Sequence, residues 1–225
     1  MRGMGKQPVA ERTPTRTTRK TRTVPRAVKG TRRRDQEVLD AAAKVFHTRG
    51  YADASVQDIA DELGILKGSL YHYIKTKEDL LFRLFEQVHK EVERILEEVL
   101  AIQGIDPLER ISVYVHRIVV HNLNDLQRIS IYYHELDRLT EERKKSVIDW
   151  RRRHDRFLRD LIKQAQDEGL ADASAEPGLL ANCVFATVIW PYRWFQPGRG
   201  DTPESIADTC TAFVTRGVQG GFAGG

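Results

Sequence analysis

The 225-residue chain has little cysteine: Cys183 and Cys210 are its only two. That argues against a disulfide framework or a zinc site, and it suits a reducing cytoplasm. No apolar run reaches the ~18 residues that a membrane-spanning helix needs. The N-terminus has no apolar stretch of the kind that marks a secretory signal. There is no phosphate-cradling loop, nucleophile elbow or dinucleotide fingerprint. A helical di-iron site needs Glu-x-x-His on two helices; the chain offers one, Glu86 to His89. His134-Glu135 lacks the later histidine of a zincin. No enzymatic activity, metal or cofactor is therefore expected. Glycine and proline are sparse between residues 77 and 170, so little there interrupts a helix, and an all-α body is expected.

Charge is unevenly distributed. Residues 1–34 hold twelve Lys or Arg and one acid, Glu11, for +11; the whole chain is +4, so residues 35–225 carry 4 − 11 = −7. The basic segment is rich in Thr, Arg, Lys and Pro and almost free of large apolar side chains. Residues 1–31 are therefore expected to be a disordered basic arm.

Behind the arm, Ser55 to Asp79 read SVQDIADELGILKGSLYHYIKTKED. Ser55 and Asp58 have capping-box spacing, and Val56, Ile59, Ala60 and Leu63 share one helical face. Gly64 supplies a helix-ending turn. A second short helix opens at Lys67-Gly68-Ser69 and is read through Tyr71-His72-Tyr73. Leu70 and Ile74 point inward on it, which leaves Lys67, Ser69, Tyr71 and His72 outside. Thr76 caps the helix that follows. Small, aromatic and hydrogen-bonding groups on that outer face suit phosphates and base edges better than plain solvent. Two helices around a tight turn form a helix-turn-helix, which places its second helix in a DNA major groove.

The run D-I-A-x-x-x-G-I-x-K-G-S-L-Y-H-Y-I-x-x-K-E-D-L resembles the DNA-binding signature of the TetR family of transcriptional regulators. The match spans about Arg34 to Leu81 and includes Ala41, Ala42, Phe46, Gly50 and Tyr51 upstream. Leu66 departs from it, standing where a capping serine is usual. The resemblance implies DNA contacts from Ser55, Lys67, Gly68, Ser69, Tyr71, His72 and Lys77. Residues 35–81 hold five basic side chains against nine acids, a net −4. A motif of that charge is poorly equipped to hold a polyanion. The arm from Arg12 to Arg34, with Arg32, Arg33 and Arg34 nearest the motif, is therefore expected to supply much of the electrostatic affinity. A merely solubilising leader is the other reading of the same segment.

Six further amphipathic helices follow, from Lys77, from Leu108, from Leu126, from Thr140 to Gly169, from Pro177 to Phe195 and from Thr202 or Pro203. Pro191 is expected to kink the eighth helix or end it early. The expected fold is all-α with nine helices: a helix-turn-helix domain over 32–78, a ligand-binding and dimerisation domain over 79–218, and a flexible tail over 219–225. The eighth helix is apolar almost all round, more than one neighbour can cover. Together with the resemblance this implies a homodimer through helices eight and nine that reads a palindromic double-stranded DNA operator.

Candidate ligand contacts are Tyr133, Trp150, His154, Phe185, Ile189, Arg193 and Trp194. His154 on an apolar stripe reads equally as a satisfied core residue, and Arg193 as a dimer-edge ion pair. The run Arg193-Trp194-Phe195-x-Pro-Gly is similar to the end of this helix in family members that control lipid and steroid catabolism and respond to acyl-CoA thioesters. The resemblance thus implies a cytoplasmic repressor, released from its operator by a hydrophobic effector such as an acyl-CoA, a straight chain fitting Phe185 and Ile189 better than a steroid acid. A multidrug or partner-controlled regulator, or an activator, remains the alternative.

Overall fold

The computed structural model describes residues 26–220, with side chains from Arg33 onward. Residues 1–25, and with them most of the expected arm, and residues 221–225 of the expected tail lie outside the described residues. The described residues form nine α-helices and no strand. They are α1 (Arg26–Arg49), α2 (Val56–Glu62), α3 (Lys67–Leu70), α4 (Lys77–Ala101), α5 (Pro107–Asn124), α6 (Leu126–His134), α7 (Glu141–Asp167), α8 (Pro177–Ile189) and α9 (Pro203–Val218), with 3-10 turns at Leu136–Arg138 and Trp190–Arg193. No helix among the described residues is long and apolar enough to cross a membrane.

Most starts follow local chemistry. Ser55 with Asp58, Thr76 with Asp79, Asp106 with Glu109 and Thr202 with Ser205 each form a reciprocal capping box, which satisfies backbone N–H groups that a first helical turn leaves orphaned. Thr140 stands at the start of α7 as expected, but its side chain makes no cap; its N–H donates to Glu78 Oε1 at 2.8 Å. Gly64 has φ +64 and ends α2 as read. α1 begins at Arg26, before the expected domain start at residue 32.

Two helices are shorter than the sequence suggests. α3 covers only Lys67–Leu70. Leu66 cannot cap it, and the chain tightens at once: His72 N–H bonds Ser69 O, and Tyr73 N–H bonds Leu70 O, both three residues back. α8 stops at Ile189, before Pro191. Proline has no N–H for the carbonyl of Thr187, and the thiol of Cys210 on α9 approaches that oxygen at 3.9 Å.

α5 runs through the body, against α9, α7, α4 and α8. Its Ile111, Val115 and Val119 are fully buried, each contributing about 1.5–3 kcal/mol of transfer free energy. The guanidinium of Arg110 on α5 takes the carbonyls of Val99 and Ile102, which closes the C-terminal end of α4. The apolar core does not divide at residue 79. One cluster joins α1–α3 to Leu80, Leu81, Leu84, Phe85 and Val88 of α4, and to α6 and Val147 of α7. The second gathers the C-terminal half of α4 with α5, α7, α8 and α9. α4 therefore belongs to both cores, and α6 packs directly on α1.

Candidate DNA interface and effector cavity

Ser55, Lys67, Gly68, Tyr71 and His72 are exposed and Ser69 half-buried. Tyr71 and Leu66 are 49% and 81% exposed, unusual for large side chains beside a small core. Gly68 has a negative φ, and a Cβ added there would meet nothing within 4 Å. The fold itself does not require glycine at that position. A bare backbone there suits close approach by something outside.

Other predicted contacts are occupied within the protein. The Ser55 hydroxyl accepts the N–H of Asp58 at 3.1 Å and donates to its carboxylate at 2.7 Å. Arg33 and Arg34 both pair with Glu37; the side chain of Arg32 lies outside the described ones. Lys77 is the clearest departure from expectation. Its ammonium donates to the carbonyls of Tyr51 (2.7 Å), Ala54 (2.8 Å) and Ala52 (3.3 Å) and sits over the Tyr51 ring. All three of its donors are thus committed to joining α4 to the α1–α2 loop.

Three further links tie this domain to the body. Asp79, held by Thr76 and Lys75 N–H groups, also accepts from Arg143 of α7. Burial raises its carboxyl, but those partners outweigh burial and hold it down at about 2. On α1, Asp40 receives Arg128 and His47 Nδ1 meets Ser130 Oγ at 2.9 Å, both partners lying on α6.

Behind these joints lies a cavity of about 370 Å³, lined by α4, α5, α6, α7 and α8 and open on one side, within the usual size of a small-molecule site, ~300–1,000 Å³. Its wall is mostly apolar, with Val88 and Val92, Ile118, Val188 and the rings of Tyr114 and Tyr132. Of the predicted contacts, Tyr133, His154, Phe185 and Ile189 line it. Trp150 stands behind the wall, stacked on His89 at 4.5 Å with 2° between planes. Arg193 and Trp194 lie outside it. Beyond Pro191 the chain leaves the inner face of α8, so Arg193 meets His134 at 3.0 Å, and Trp194 faces outward, 49% exposed.

The sequence reading missed the polar wall. Arg151 bonds the carbonyl of Tyr132 at 2.9 Å and lies 4.7 Å over its ring. It sits on the stripe Val147, Arg151, His154, Leu158, a spacing that the basic run Arg151-Arg152-Arg153 obscures. Asn122 is 2% exposed and donates to Val188 O at 3.0 Å. His89 and His154 are each 8% exposed and flank Glu93, whose Oε1 is 3.6 Å from one Nε2 and 3.3 Å from the other. Burial lowers both imidazoles, His89 to about 4, against the opposing pull of Glu93. Burial likewise pushes the phenols of Tyr114 and Tyr133 up.

Two family models match: residues 38–84 match the bacterial regulatory proteins of the tetR family, and residues 104–218 the Tetracyclin repressor-like C-terminal domain. The chain belongs to the TetR family of transcriptional regulators. Like other members it is a DNA-binding transcription factor and not an enzyme. It is 30% identical over 201 residues to the HTH-type transcriptional repressor KstR2 of Mycolicibacterium smegmatis, covering 83% of this chain and 90% of the relative. The solved ketosteroid transcriptional regulator KstR2 of Mycobacterium tuberculosis superposes with TM-score 0.78 at 26% identity, covering 83% of this chain and 95% of that one. AibR in complex with isovaleryl coenzyme A and operator DNA superposes at 0.73 with 29% identity, covering 80% and 97%.

Proposed function

We propose that this TetR-family protein is a homodimeric repressor of a palindromic operator whose DNA affinity is set by an acyl-CoA in the α4–α8 cavity. The observation that carries this reading is the cavity itself: apolar, and shared by the same α4, α6 and α7 that grip the helix-turn-helix. A short or straight acyl chain fits between Phe185, Ile189 and Val92. Outside, Arg152, Arg153 and Arg156 line a surface groove together with Asp149 and Asp155, the last of which it shares with the cavity wall. Such a groove suits the phosphates of a nucleotide head. One neighbour, AibR, is solved with isovaleryl coenzyme A, which supports the reading.

The dimer would form through α8 and α9. Leu179, Trp190, Trp194 and Phe213, between 49% and 64% exposed, all lie on or beside those helices, an apolar face of the kind that homodimer interfaces cover. Two recognition helices then meet successive major grooves about 34–36 Å apart. An acyl group wedged against Tyr132 and Tyr133 shifts α6 on α1, and one wedged against Val88 and Val92 shifts α4. Either movement changes that spacing, and an effector acts only to the extent that it prefers one arrangement. Ile189→Trp, which fills the cavity, should leave operator binding intact and abolish the response. Fluorescence anisotropy on the gene's own upstream DNA, with acyl-CoAs of graded length, tests this; indifference of wild type to every thioester sinks it.

The opposite direction of control has specific support, because AibR is solved with effector and operator together. In that second reading the acyl-CoA tightens DNA binding, and the same titration separates the two by the sign of the change.

A further inference from the structure

The wall shared by α4 and α7 holds three metal-ligating side chains that an acyl effector does not need. His89 and Glu93 stand one helical turn apart on α4, and His154 comes from α7. Their ligand atoms all lie within 4.8 Å of one another. Glu93 Oε1 occupies the middle, 3.6 Å from His89 Nε2 and 3.3 Å from His154 Nε2. A tetrahedral ion with ligands at ~2.0–2.1 Å requires neighbouring donors about 3.4 Å apart, which the two spacings to Glu93 match; the two imidazoles lie within 4.8 Å of each other, within reach of a rotamer adjustment.

The satisfaction of these groups points the same way. His154 Nε2 has no hydrogen-bond partner although it is buried and faces Glu93 at 3.3 Å. That contact lacks the alignment of a hydrogen bond, and the lone pair or proton on this nitrogen is directed at the space between the two helices. The ring of His89 is held rigid by its parallel stack on Trp150, which orients a donor in advance. What approaches the cluster from outside is a cation already: Arg153 lies 3.1 Å from His89 Nε2 and 3.5 Å from Glu93 Oε1. Its side chain is 51% exposed and can swing away.

We propose that His89, Glu93 and His154 form a three-ligand site for a first-row transition-metal dication of the zinc class, with its fourth position open to the effector cavity. Two imidazoles and a carboxylate suit zinc, cobalt or nickel, whereas calcium and magnesium prefer oxygen donors alone. The ion would pin α4 to α7, the two helices that carry Lys77, Asp79 and Arg143 at the DNA-binding joint. Its open position would accept an anionic or sulfur group of whatever fills the cavity. This site stands whether or not the effector is an acyl-CoA, and its test uses the metal alone.

Untagged, chelator-stripped full-length protein is titrated with Zn²⁺ by calorimetry and with Co²⁺ by visible absorption. One ion per chain is expected, with the intense d–d bands of four-coordinate cobalt and no thiolate charge-transfer band. That last feature separates this site from exposed Cys183. Losing an orienting partner alone costs a metal site 10–100-fold, so Glu93→Gln and His154→Gln should each weaken binding by at least about 100-fold. Glu93 is half-exposed, so Glu93→Gln keeps the test valid if the histidine variant folds poorly. Arg153→Ala removes the competing cation and should tighten binding about two- to fivefold, the scale of an exposed charge pair; a purely structural trio would not respond so. No saturable binding by wild type, or unchanged binding in Glu93→Gln, overturns the proposal.

Discussion

Replacing Asp79 with asparagine removes one negative charge from the joint between the helix-turn-helix and the effector body. In the native protein its carboxylate accepts the N–H groups of Thr76 and Lys75 at 2.7 and 2.9 Å and the Arg143 guanidinium. These partners carry its pKa from 3.8 to about 2 against the penalty of burial. At about 1.4 kcal/mol for each tenfold change, the charged form contributes about 2 kcal/mol to folding. Its side chain is only 21% exposed, so solvent screening removes little of this. Asparagine keeps the shape and can still cap α4, so the loss belongs mainly to the charge. The folded carboxyl titrates below the unfolded one; its contribution is complete above about pH 4 and fades as the pH falls towards 2. Urea denaturation of wild type and Asp79→Asn at equal protein concentration should therefore differ by about 2 kcal/mol at pH 7, with the gap closing on acidification. A gap under about 0.5 kcal/mol at pH 7, or one that does not shrink in acid, refutes the assignment.

Three other outcomes are expected. Lys67→Ala should weaken operator binding with unchanged thermal stability, whereas Lys77→Met should lower both, because its ammonium holds three carbonyls of the α1–α2 loop; calorimetric melting beside gel shift separates them. Deleting residues 1–25 should weaken operator binding and flatten the log–log salt slope by ~0.9 for each phosphate that the arm neutralises; an unchanged slope assigns the arm no role in DNA binding. Trp190→Glu, on the exposed α8–α9 face, should shift sedimentation from dimer towards monomer and reduce operator affinity with it.

Helix starts were legible because capping is a local matter: Ser55 with Asp58 and Thr76 with Asp79 use atoms three residues apart. The stop at Gly64 and the break at Pro191 are local in the same way, set by a positive φ and a missing N–H. Thr140 shows the limit of that reading. It stands at a helix start, yet its N–H goes to Glu78 from another helix, a partner that no sequence spacing reveals. α3 starts where its pattern suggests but ends sooner, because from His72 on the backbone bonds three residues back rather than four.

Family, helix order and the exposed recognition face thus follow from short-range pattern and a specific motif. Everything that joins the two halves is long-range. Lys77 reads as a DNA contact until the carbonyls of Tyr51, Ala52 and Ala54 are placed around it. Arg151 carries no signal of its own in the sequence; α6 brings Tyr132 beneath it. Arg193 and Trp194 read as ligand contacts until Pro191 turns them off the inner face of α8. His89, Glu93 and His154 become a cluster only when α4 and α7 pack side by side. Local bonding sets where helices begin and end, while burial against distant partners sets what their polar residues can do.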